Sequence, residues 1–391
     1  IVLLEVPSGA LADLMGRRNL LVAAGVLMVA EMLLLCLAPR EAGPLLFAVF
    51  LANRILSGTA EAAASGADEA LAYDALKRFG RPEDWGRVLE RQIRYQSIGY
   101  VAAMSIGAAV YDPELLNRLA SVMGLSIRFS GDATLRFPLY LTLLMAVGAL
   151  VQTLGMEEVP HARSTDRRAA GMPPTPIRSA FRMTFQAGRW ILQTPMALCV
   201  ILAGLLFDHV IRLVITLNSQ YLRAIDYPEA AFGLIGSGLA LMGVFVPKIA
   251  EKMDARFTPA TNFGAISTVA LAGLTGIAFF WPYFGLLPLA LLAGVMTLTH
   301  FFSSRYINQV AASEQRATVL SFRGLSYNLA YGLAGLLYAL LLAFLRGRAQ
   351  LAPSAGAQDL EMAVFERSFV YLPGYFLIMF AVLMVFARRQ L

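Results

Sequence analysis

Apolar runs of about 20 residues recur along almost the whole chain, and each is long enough to cross the hydrocarbon core of a bilayer as a helix. Hydrophobic residues account for 58% of the sequence and charged residues for only 15%. Backbone polar groups in lipid must be satisfied internally, so only helices and closed barrels span a membrane. The runs lack the alternation of polar and apolar residues that barrel strands require. We therefore predict an all-α protein that crosses the membrane many times.

Ten complete membrane helices are predicted from the positions of these runs. Their predicted ranges are 19–38, 45–76, 92–111, 137–156, 196–221, 230–249, 260–281, 284–303, 317–344 and 369–387.

A short polar segment, Pro7 to Arg18, interrupts the apolar sequence near the start of the chain. It contains Gly9, Leu11, Ala12, Asp13, Gly16, Arg17 and Arg18, and Leu21 follows it. These residues match the pattern Gly-x-Leu-Ala-Asp-Arg-x-Gly-Arg-Lys-x-x-Leu, so the segment resembles the signature loop of the major facilitator superfamily. Leu14 departs from the pattern, because the family usually has arginine there. The resemblance implies a secondary transporter built from two pseudo-symmetric halves of six helices each.

The start of the chain also bears on this comparison. In the superfamily the signature loop joins the second and third helices. The sequence begins at Ile1, without a methionine and inside an apolar run. We therefore expect the first helix and part of the second to be missing from it, which brings the expected total to twelve.

The longest polar stretch, residues 157–195, is the predicted cytoplasmic linker between the halves. It separates an N-terminal half at 1–156, with helices 2–6, from a C-terminal half at 196–391, with helices 7–12. Inside the linker, polar side chains recur at helical spacing opposite an apolar stripe. The polar positions are Arg178, Arg182, Gln186, Arg189 and Gln193, and the apolar ones are Ile177, Phe181, Phe185 and Leu192. This pattern predicts an amphipathic helix on the anionic cytoplasmic membrane surface, with docking to a protein as the alternative.

A degenerate second copy of the signature supports the division into two halves. Ala250 to Arg256 aligns with Ala12 to Arg18, with Asp254 in the place of Gly16. Internal repeats of this kind are typical of secondary transporters. Two further segments, Ala70 to Leu76 and Ser313 to Arg323, resemble cytoplasmic segments of bacterial members, so the resemblance covers nearly the whole chain.

Lysine and arginine set the predicted orientation, since they favour cytoplasmic loops. Most of them fall on the side of the signature loop, which places that loop in the cytoplasm. The net charge of +6 follows from this bias and requires no nucleic-acid partner. We expect a monomer with multiple membrane passes in a bacterial inner (plasma) membrane.

The signature loop is the predicted conformational latch. Gly9 and Gly16 allow close helix approach and a sharp turn, and Asp13 can pair with arginine or accept backbone amides at a helix end. Arg17 and Arg18 are the cations of the same loop. The family resemblance implies that this cluster closes the cytoplasmic side while the central cavity faces outward. The alternative, a topological stop signal, explains the arginines but neither Asp13 nor the glycines.

The second predicted helix carries the richest set of polar residues within the membrane. Arg54, Gly58, Glu61, Ser65 and Asp68 are expected to lie on one helical face, and Arg54 with Gly58 resembles the Arg-x-x-x-Gly motif of the family's fourth helix. A charge at the bilayer centre costs about 2.5–3.5 kcal/mol, so these groups should face protein or water. We predict that Glu61 carries a coupling proton, with Asp68 as the second choice. A buried structural ion pair, with Glu61 or a residue of another helix as the partner of Arg54, is the alternative.

Further polar candidates lie in the C-terminal half. Asp208 and Arg212 are one helical turn apart and can pair, while His209 points to an adjacent face and can titrate near neutral pH. Functional and structural interpretations of this group are both open. For His300 we expect a hydrogen-bonded interior histidine rather than a functional one.

The sequence shows no catalytic motif, metal-ligand spacing or phosphate-binding glycine loop, so neither an enzyme nor a cofactor is predicted. Cys36 and Cys199 lie in apolar runs and carry no functional signal. The seam of Gly99, Ala103 and Gly107 suits close helix packing, but it lacks the proline of the corresponding motif in drug antiporters of the family. The resulting hypothesis is proton-coupled efflux of a small amphiphilic compound. A proton-coupled importer of a polar nutrient and a non-transporting membrane receptor or scaffold are the alternatives.

Overall fold

The structure is a computed structural model that describes residues 4–39, 41, 43–124, 128–158, 177–228, 231–349 and 357–390. Within these ranges the chain forms α-helices and two short 3₁₀ turns, Pro82–Asp84 and Ser313–Gln315, and no strand. The helices are α1 (Glu5–Met15), α2 (Arg17–Cys36), α3 (Pro44–Ala64), α4 (Ala67–Phe79), α5 (Trp85–Tyr111), α6 (Pro113–Val122), α7 (Gly131–Thr134), α8 (Phe137–Gly155), α9 (Ile177–Gln193), α10 (Pro195–Thr216), α11 (Asn218–Ala224), α12 (Phe232–Ala240), α13 (Met242–Arg256), α14 (Pro259–Ile277), α15 (Leu286–Val310), α16 (Arg316–Ala349), α17 (Ala357–Phe369) and α18 (Tyr371–Gln390).

Nine helical segments in the described part of the chain are long and apolar enough to cross a membrane. They are Arg17–Cys36, Pro44–Phe79, Gly131–Gly155, Pro195–Thr216, Phe232–Arg256, Pro259–Ile277, Leu286–Val310, Ser313–Arg348 and Leu360–Arg389. The predicted all-α polytopic fold is therefore confirmed. Helix α5 is not one of the nine, and its first half carries the charged residues Arg87, Glu90, Arg91 and Arg94.

Proline and capping side chains mark where several helices begin. Proline occupies the first turn of α3, α6, α8, α10 and α14, where its missing N–H has no helical partner to lose. Asp112 caps α6 by accepting the backbone N–H of Glu114 at 2.8 Å. Thr258 caps α14 by accepting the N–H of Thr261 at 3.3 Å. These residues fix the N-terminal ends of their helices.

The continuous helix predicted over 45–76 is wrong. The chain leaves helical geometry at Ser65, and Gly66 adopts a left-handed conformation with φ 74° before α4 begins. Glycine reaches this region without the steric cost that a Cβ imposes. The break places Asp68 on a different helix from Arg54 and Glu61, so the predicted common face does not extend to Asp68.

Contacts divide the chain into two units. The first comprises Ile1–Pro82, Val101–Arg189 and Ala311–Gly324, and the second comprises Glu83–Tyr100, Trp190–Val310 and Leu325–Leu391. Each unit thus contains a short segment from the opposite half of the sequence. The start of α16 belongs to the first unit, and the start of α5 belongs to the second.

The two units have different cores. In the first unit, small residues such as Ala10, Ala62 and Ala70 are almost fully buried, which lets helix backbones approach closely. In the second unit, large aromatic side chains fill the core, including Phe207, Phe302 and Tyr306. The rings of Phe302 and Tyr306 stack with centroids 5.7 Å apart.

One buried polar group of the second unit lies outside the membrane-spanning segments. The Tyr221 hydroxyl donates to the carbonyl of Gly285 at 3.1 Å. Burial raises the pKa of Tyr221, so this phenol remains a neutral donor. Its hydrogen bond ties α11 to the residue that precedes α15.

The described part of the linker contains the predicted helix, α9. Phe181 and Phe185 of the predicted apolar stripe are exposed, while Met183 and Ala187 on another face are buried. Met183 packs against Ala10 of α1. The sequence pattern did not predict this buried face. It indicated only the polar stripe and the stripe of large apolar side chains, and Met183 and Ala187 belong to neither. The side chains of Ile177 and Arg178 lie outside the described part of the structure, and lipid contact remains a prediction.

Candidate functional site

Asp13 lies near the end of α1, where it is 1% exposed. Its Oδ2 accepts the backbone N–H of Thr318 at 2.9 Å and the Thr318 hydroxyl at 2.8 Å. Its Oδ1 accepts the N–H of Ala317 at 3.3 Å. The first N–H groups of a helix have no partner within the helix and carry its positive dipole end. Asp13 therefore caps α16 with a full negative charge, inside the first unit.

Arg17, at the start of α2, holds Asp13 from the other side. Its Nη2 donates to Asp13 Oδ1 at 3.0 Å and its Nε donates to the same oxygen at 3.3 Å. Its Nη1 donates to the carbonyl of Ala70 at 3.1 Å and pairs with Asp74 of α4. The Arg17 side chain is 1% exposed, so its donors must be satisfied by protein groups.

Asp74 joins this arrangement to the start of α16. It pairs with Arg316 as well as with Arg17, and it accepts the hydroxyl of Ser313. The Arg316 guanidinium lies over the Tyr73 ring at 4.5 Å. We call Asp13, Arg17, Asp74 and Arg316 the Asp13 cluster. Its two carboxylates and two guanidiniums balance in charge. Their mutual attraction offsets the free-energy cost of removing four ionised groups from water.

Arg18 lies outside the Asp13 cluster. Its Nη2 donates to the carbonyl of Leu154 in α8 at 2.7 Å. The backbone N–H groups of Arg17 and Arg18 donate to Glu158 Oε1 and Oε2 at 3.0 and 2.8 Å. Glu158 therefore caps α2 from the start of the linker. Sequence reasoning missed it, because about 140 residues separate it from its partners and no local pattern links them.

The two signature glycines lie where a side chain would disrupt these contacts. A Cβ on Gly9 would lie 2.8 Å from the carbonyl oxygen of Ala317. Gly16 has φ 104°, and a Cβ there would lie 2.9 Å from Glu158 Oε2. The first glycine permits the close approach of α1 to α16, and the second permits the turn between α1 and α2.

Further polar contacts surround the Asp13 cluster in the first unit. Ser65 donates to Glu5 Oε1 at 3.1 Å, and Ser321 donates to the Ser65 carbonyl at 2.8 Å. Arg323 pairs with Glu69 at 2.7 Å. Ser65, at the break between α3 and α4, thus forms hydrogen bonds with both α1 and α16. The resemblance of Ser313 to Arg323 to a family segment was the available sequence signal for this region.

Arg54 and Glu61 are both largely exposed on α3. Arg54 Nη2 donates to Asn53 Oδ1 at 3.4 Å, and within the described residues neither Arg54 nor Glu61 forms an ion pair. Asp68 is exposed at the start of α4, where its Oδ1 accepts the N–H of Glu69 at 2.7 Å. The structure therefore brings neither Glu61 nor Asp68 into contact with Arg54.

Asp208, His209 and Arg212 come together in the second unit. Asp208 is fully buried, and its Oδ1 accepts from Arg212 Nη2 at 2.8 Å. Arg212 Nη1 donates to Asn328 Oδ1 at 2.9 Å, and its guanidinium lies 5.4 Å from the Tyr331 ring centre. The local pair that the spacing predicts is present, and α16 supplies additional partners that the spacing did not predict.

His209 faces a different neighbour. Its Nδ1 lies 2.6 Å from the carbonyl of Leu205, and its Nε2 lies 2.9 Å from the hydroxyl of Tyr375 on α18. Because a carbonyl only accepts, Nδ1 carries a hydrogen. The sequence offered no signal for Tyr375, which is 166 residues away.

The expectation of an interior histidine at position 300 is wrong, because His300 is exposed. Other polar residues of α15, Ser304 and Thr297, are less exposed than His300. Ser304 is buried and accepts from Trp85 Nε1 at 3.3 Å, and Thr297 donates to the carbonyl of Ala293 at 3.1 Å. Among the described residues, no group of three or more histidine, cysteine, aspartate or glutamate side chains could hold a metal ion.

A sequence profile described as the Major Facilitator Superfamily matches residues 1–335. The chain belongs to the major facilitator superfamily. Members of this superfamily are secondary transporters that sit in a lipid bilayer and move small molecules by alternating access. None of the curated proteins matches the chain in sequence.

Solved structures of other superfamily members are similar to this chain in fold. A bacterial homologue of the iron transporter ferroportin, in an outward-facing state, is 15% identical with a TM-score of 0.64, over 99% of this chain and 87% of that one. The human organic anion transporter MFSD10 (TETRAN) is 18% identical with a TM-score of 0.58, over 98% and 80%. The proton:xylose symporter XylE is 13% identical with a TM-score of 0.61, over 96% and 83%. Identities this low establish the shared fold alone.

Proposed function

We propose that this transporter exports a small amphiphilic compound in exchange for protons and that the Asp13 cluster is its cytoplasmic latch. The observation that carries the latch is the position of Asp13, which binds Arg17 and caps the first turn of α16 at the same time. One carboxylate thus ties the signature loop to a helix that begins about 300 residues later in the sequence.

The energetics of the Asp13 cluster suit an element with two states. Four buried ionised groups stabilise one another only while they remain together, because desolvation offsets much of their mutual attraction. Separation of α1 from the start of α16 would return the same groups to water, which restores their hydration. The two arrangements can therefore lie close in free energy, and a bound substrate or proton can shift the balance between them.

The coupling residue that we propose first is Asp208. It is fully buried, and its counter-ion Arg212 is 29% accessible and has a second partner in Asn328. Protonation of Asp208 would remove the charge that holds Arg212, so proton binding and side-chain rearrangement are linked. Glu61 becomes the second candidate, because it lies exposed near the end of α3 without an ion pair among the described residues.

The substrate class rests on a largely apolar cavity of about 530 Å³ in the second unit, which lies beside His209. Ligand sites in proteins are of about this size and are mostly apolar with few polar groups. The competing importer of a polar nutrient would need several polar groups directed at its substrate. A receptor or scaffold would show no flux at all.

The test is reconstitution into proteoliposomes with an imposed pH gradient and a panel of radiolabelled amphiphiles and sugars. We expect gradient-dependent movement of amphiphiles and none of sugars in the wild-type protein. Asp13→Asn should retain substrate binding and lose at least about tenfold in flux, which corresponds to about 1.4 kcal/mol. Asp84→Asn is the matched control, since its pair with Arg87 at 3.0 Å is exposed. Unchanged flux in Asp13→Asn at equal expression would rule out the latch.

A further inference from the structure

The cavity beside His209 is bounded by three membrane-spanning helices of the second unit, α10, α16 and α18. Its apolar lining includes Leu213, Ala334, Leu337, Leu341, Leu372 and Ile378. Polar contributions come from a few aromatic and imidazole groups, chiefly His209 and Tyr375. This combination is an apolar pocket with a polar group on one wall.

The cavity lies next to exposed apolar surfaces of two membrane-spanning helices. On α16 an exposed apolar stripe runs along one face, formed by Leu329, Leu333, Leu336, Leu337, Leu340 and Phe344. On α18 a similar stripe contains Ile378, Val382 and Val385. Side chains three, four and seven residues apart share a helix face. Leu337 and Ile378 belong both to these stripes and to the cavity lining, so the cavity is continuous with the exposed apolar surface of both helices.

The hydrogen-bond direction at the polar wall follows from the contacts of His209. Its Nδ1 hydrogen is committed to the Leu205 carbonyl at 2.6 Å. In the neutral ring Nε2 is therefore an acceptor, and it must receive the hydrogen of the Tyr375 hydroxyl at 2.9 Å. The Tyr375 oxygen then has only lone pairs to offer, and it has no other hydrogen-bond partner among the described residues.

Two other tyrosines, Tyr338 and Tyr371, line the cavity, and the hydroxyl of the buried Tyr338 already has a protein partner. Tyr338 is 8% exposed, and its hydroxyl lies 2.9 Å from Ser368 Oγ. Tyr371 also lines the cavity, but it lies at an exposed position at the start of α18, at 44% exposure. Tyr375 is half-buried, and its oxygen, which already donates its hydrogen to His209, is the acceptor that we assign to an occupant.

We propose that this cavity binds an amphiphile that enters from the bilayer, with an apolar body among the leucines and a hydrogen-bond donor directed at Tyr375. A hydroxyl or amine on an alkyl or ring framework has this chemistry. An ether, an ester or a carboxylate offers only acceptors to the Tyr375 oxygen. The inference deepens the proposed function, because it specifies which amphiphiles the transporter selects.

The experiment uses the full chain in lipid nanodiscs at about pH 8, above the ordinary pKa of histidine. The probe is lauryl alcohol with a photoreactive diazirine in its chain, followed by mass spectrometry of the labelled peptides. Unlabelled lauryl alcohol and lauryl methyl ether compete with it. They share the same alkyl chain, but only the alcohol donates a hydrogen bond.

We expect labels on α16 and α18 near Leu337 and Ile378, and competition by the alcohol roughly three- to tenfold better than by the ether, as one net hydrogen bond provides. Tyr375→Phe should bring this ratio to about one while labelling persists, because the ring still covers His209. Gly374→Leu should abolish labelling, since Gly374 lines the cavity and a Cβ there meets nothing within 4 Å. Gly332→Leu is the control, because it is equally open but lies outside the lining.

Equal competition by alcohol and ether, or labelling elsewhere, would overturn the proposal and indicate an ordinary lipid groove. The labelling assay needs no pH gradient, so it measures binding independently of transport. Selective binding without proton-driven flux would contradict the proposed function alone. Proton-driven flux without selective binding would contradict this inference alone.

Discussion

Asp74 is the residue on which the charge balance of the Asp13 cluster depends most directly. It is 4% exposed and pairs with both Arg17 and Arg316. Asp74→Asn would leave two guanidiniums with the single carboxylate of Asp13. Removal of one partner of a buried pair costs about 3–5 kcal/mol, because the other charge stays buried without compensation. We expect a large decrease in the thermal stability of the purified transporter, measured by its unfolding temperature.

A second substitution distinguishes charge balance from a general packing defect. Asp74→Asn combined with Arg316→Gln makes the cluster neutral again, so part of the lost stability should return. Asp84→Asn, at an exposed pair with Arg87, should change stability by at most about 1 kcal/mol. Losses at Asp74 and Arg316 that simply add would show that the two side chains do not interact.

The close approach of α1 to α16 gives a prediction at Gly9. A Cβ there would lie 2.8 Å from the Ala317 carbonyl, so Gly9→Ala must push α1 away from the helix that Asp13 caps. We expect reduced flux and reduced stability. Gly148→Ala is the control, because a Cβ at that position in α8 meets nothing within 4 Å. The control should be neutral or slightly stabilising, since alanine favours a helix by about 1 kcal/mol over glycine. Similar behaviour of both variants in flux and unfolding would contradict the proposed role of Gly9.

At the scale of helices, hydrophobic periodicity predicted where the chain is helical but not where a long helix breaks. Alanines lie on both sides of Ser65 and Gly66, and alanine favours a helix, so the pattern of residues did not divide α3 from α4. The break depends on Gly66, whose left-handed backbone meets α16 closely: a Cβ on it would lie 2.8 Å from the Ala317 carbonyl. A tertiary contact with a segment about 250 residues away therefore determines the local geometry, and a single-sequence pattern cannot contain that information.

Helix α9 combines a protein-facing side with an exposed aromatic stripe, which leads to a prediction about the membrane. Phe185 is 79% exposed, and Arg182 and Arg189 are exposed beside it. Only Thr194 separates α9 from the membrane-spanning α10. Aromatic residues next to arginine favour the interface of an anionic bilayer. We expect an environment-sensitive dye at position 185 to be quenched by nitroxide lipids in anionic vesicles.

The matched position is Gln186, which is also exposed but belongs to the polar stripe. Each site is labelled as a single cysteine, with Cys36 and Cys199 replaced by alanine. A dye at 186 should remain accessible to a water-soluble quencher. Equal access of the water-soluble quencher to both positions would place the stripe away from lipid and favour a docked protein partner.

At the scale of the whole molecule, the family and the signature loop were readable because they depend on local composition and spacing. The residues that the signature loop contacts could not be predicted from the sequence. Asp13 contacts Thr318 across 305 positions, and His209 contacts Tyr375 across 166. Such pairs exist only once distant helices pack, and they involve ordinary threonine and tyrosine residues without a distinctive local pattern. The sequence therefore predicted one side of each candidate site and left the other side to the fold.

Proton coupling is the property that tests the molecule as a whole. A coupling carboxylate must bind and release a proton as the transporter changes state, so its amide variant should lose dependence on the pH gradient while still exchanging substrate. We expect this result for Asp208→Asn, because the amide has the size of the acid but cannot hold the Arg212 charge in the same way. The measurements are gradient-driven flux and substrate counterflow without a gradient, made on the same proteoliposomes. Glu61→Gln, the alternative that the sequence suggested, is measured in parallel. The control is Asp254→Asn, which removes a partly buried ion pair in which Asp254 lies 2.8 Å from Arg305. If Asp208→Asn keeps its dependence on the pH gradient and Glu61→Gln loses it, Glu61 of α3 is the coupling residue. If both variants keep the dependence, the coupling residue is neither Asp208 nor Glu61.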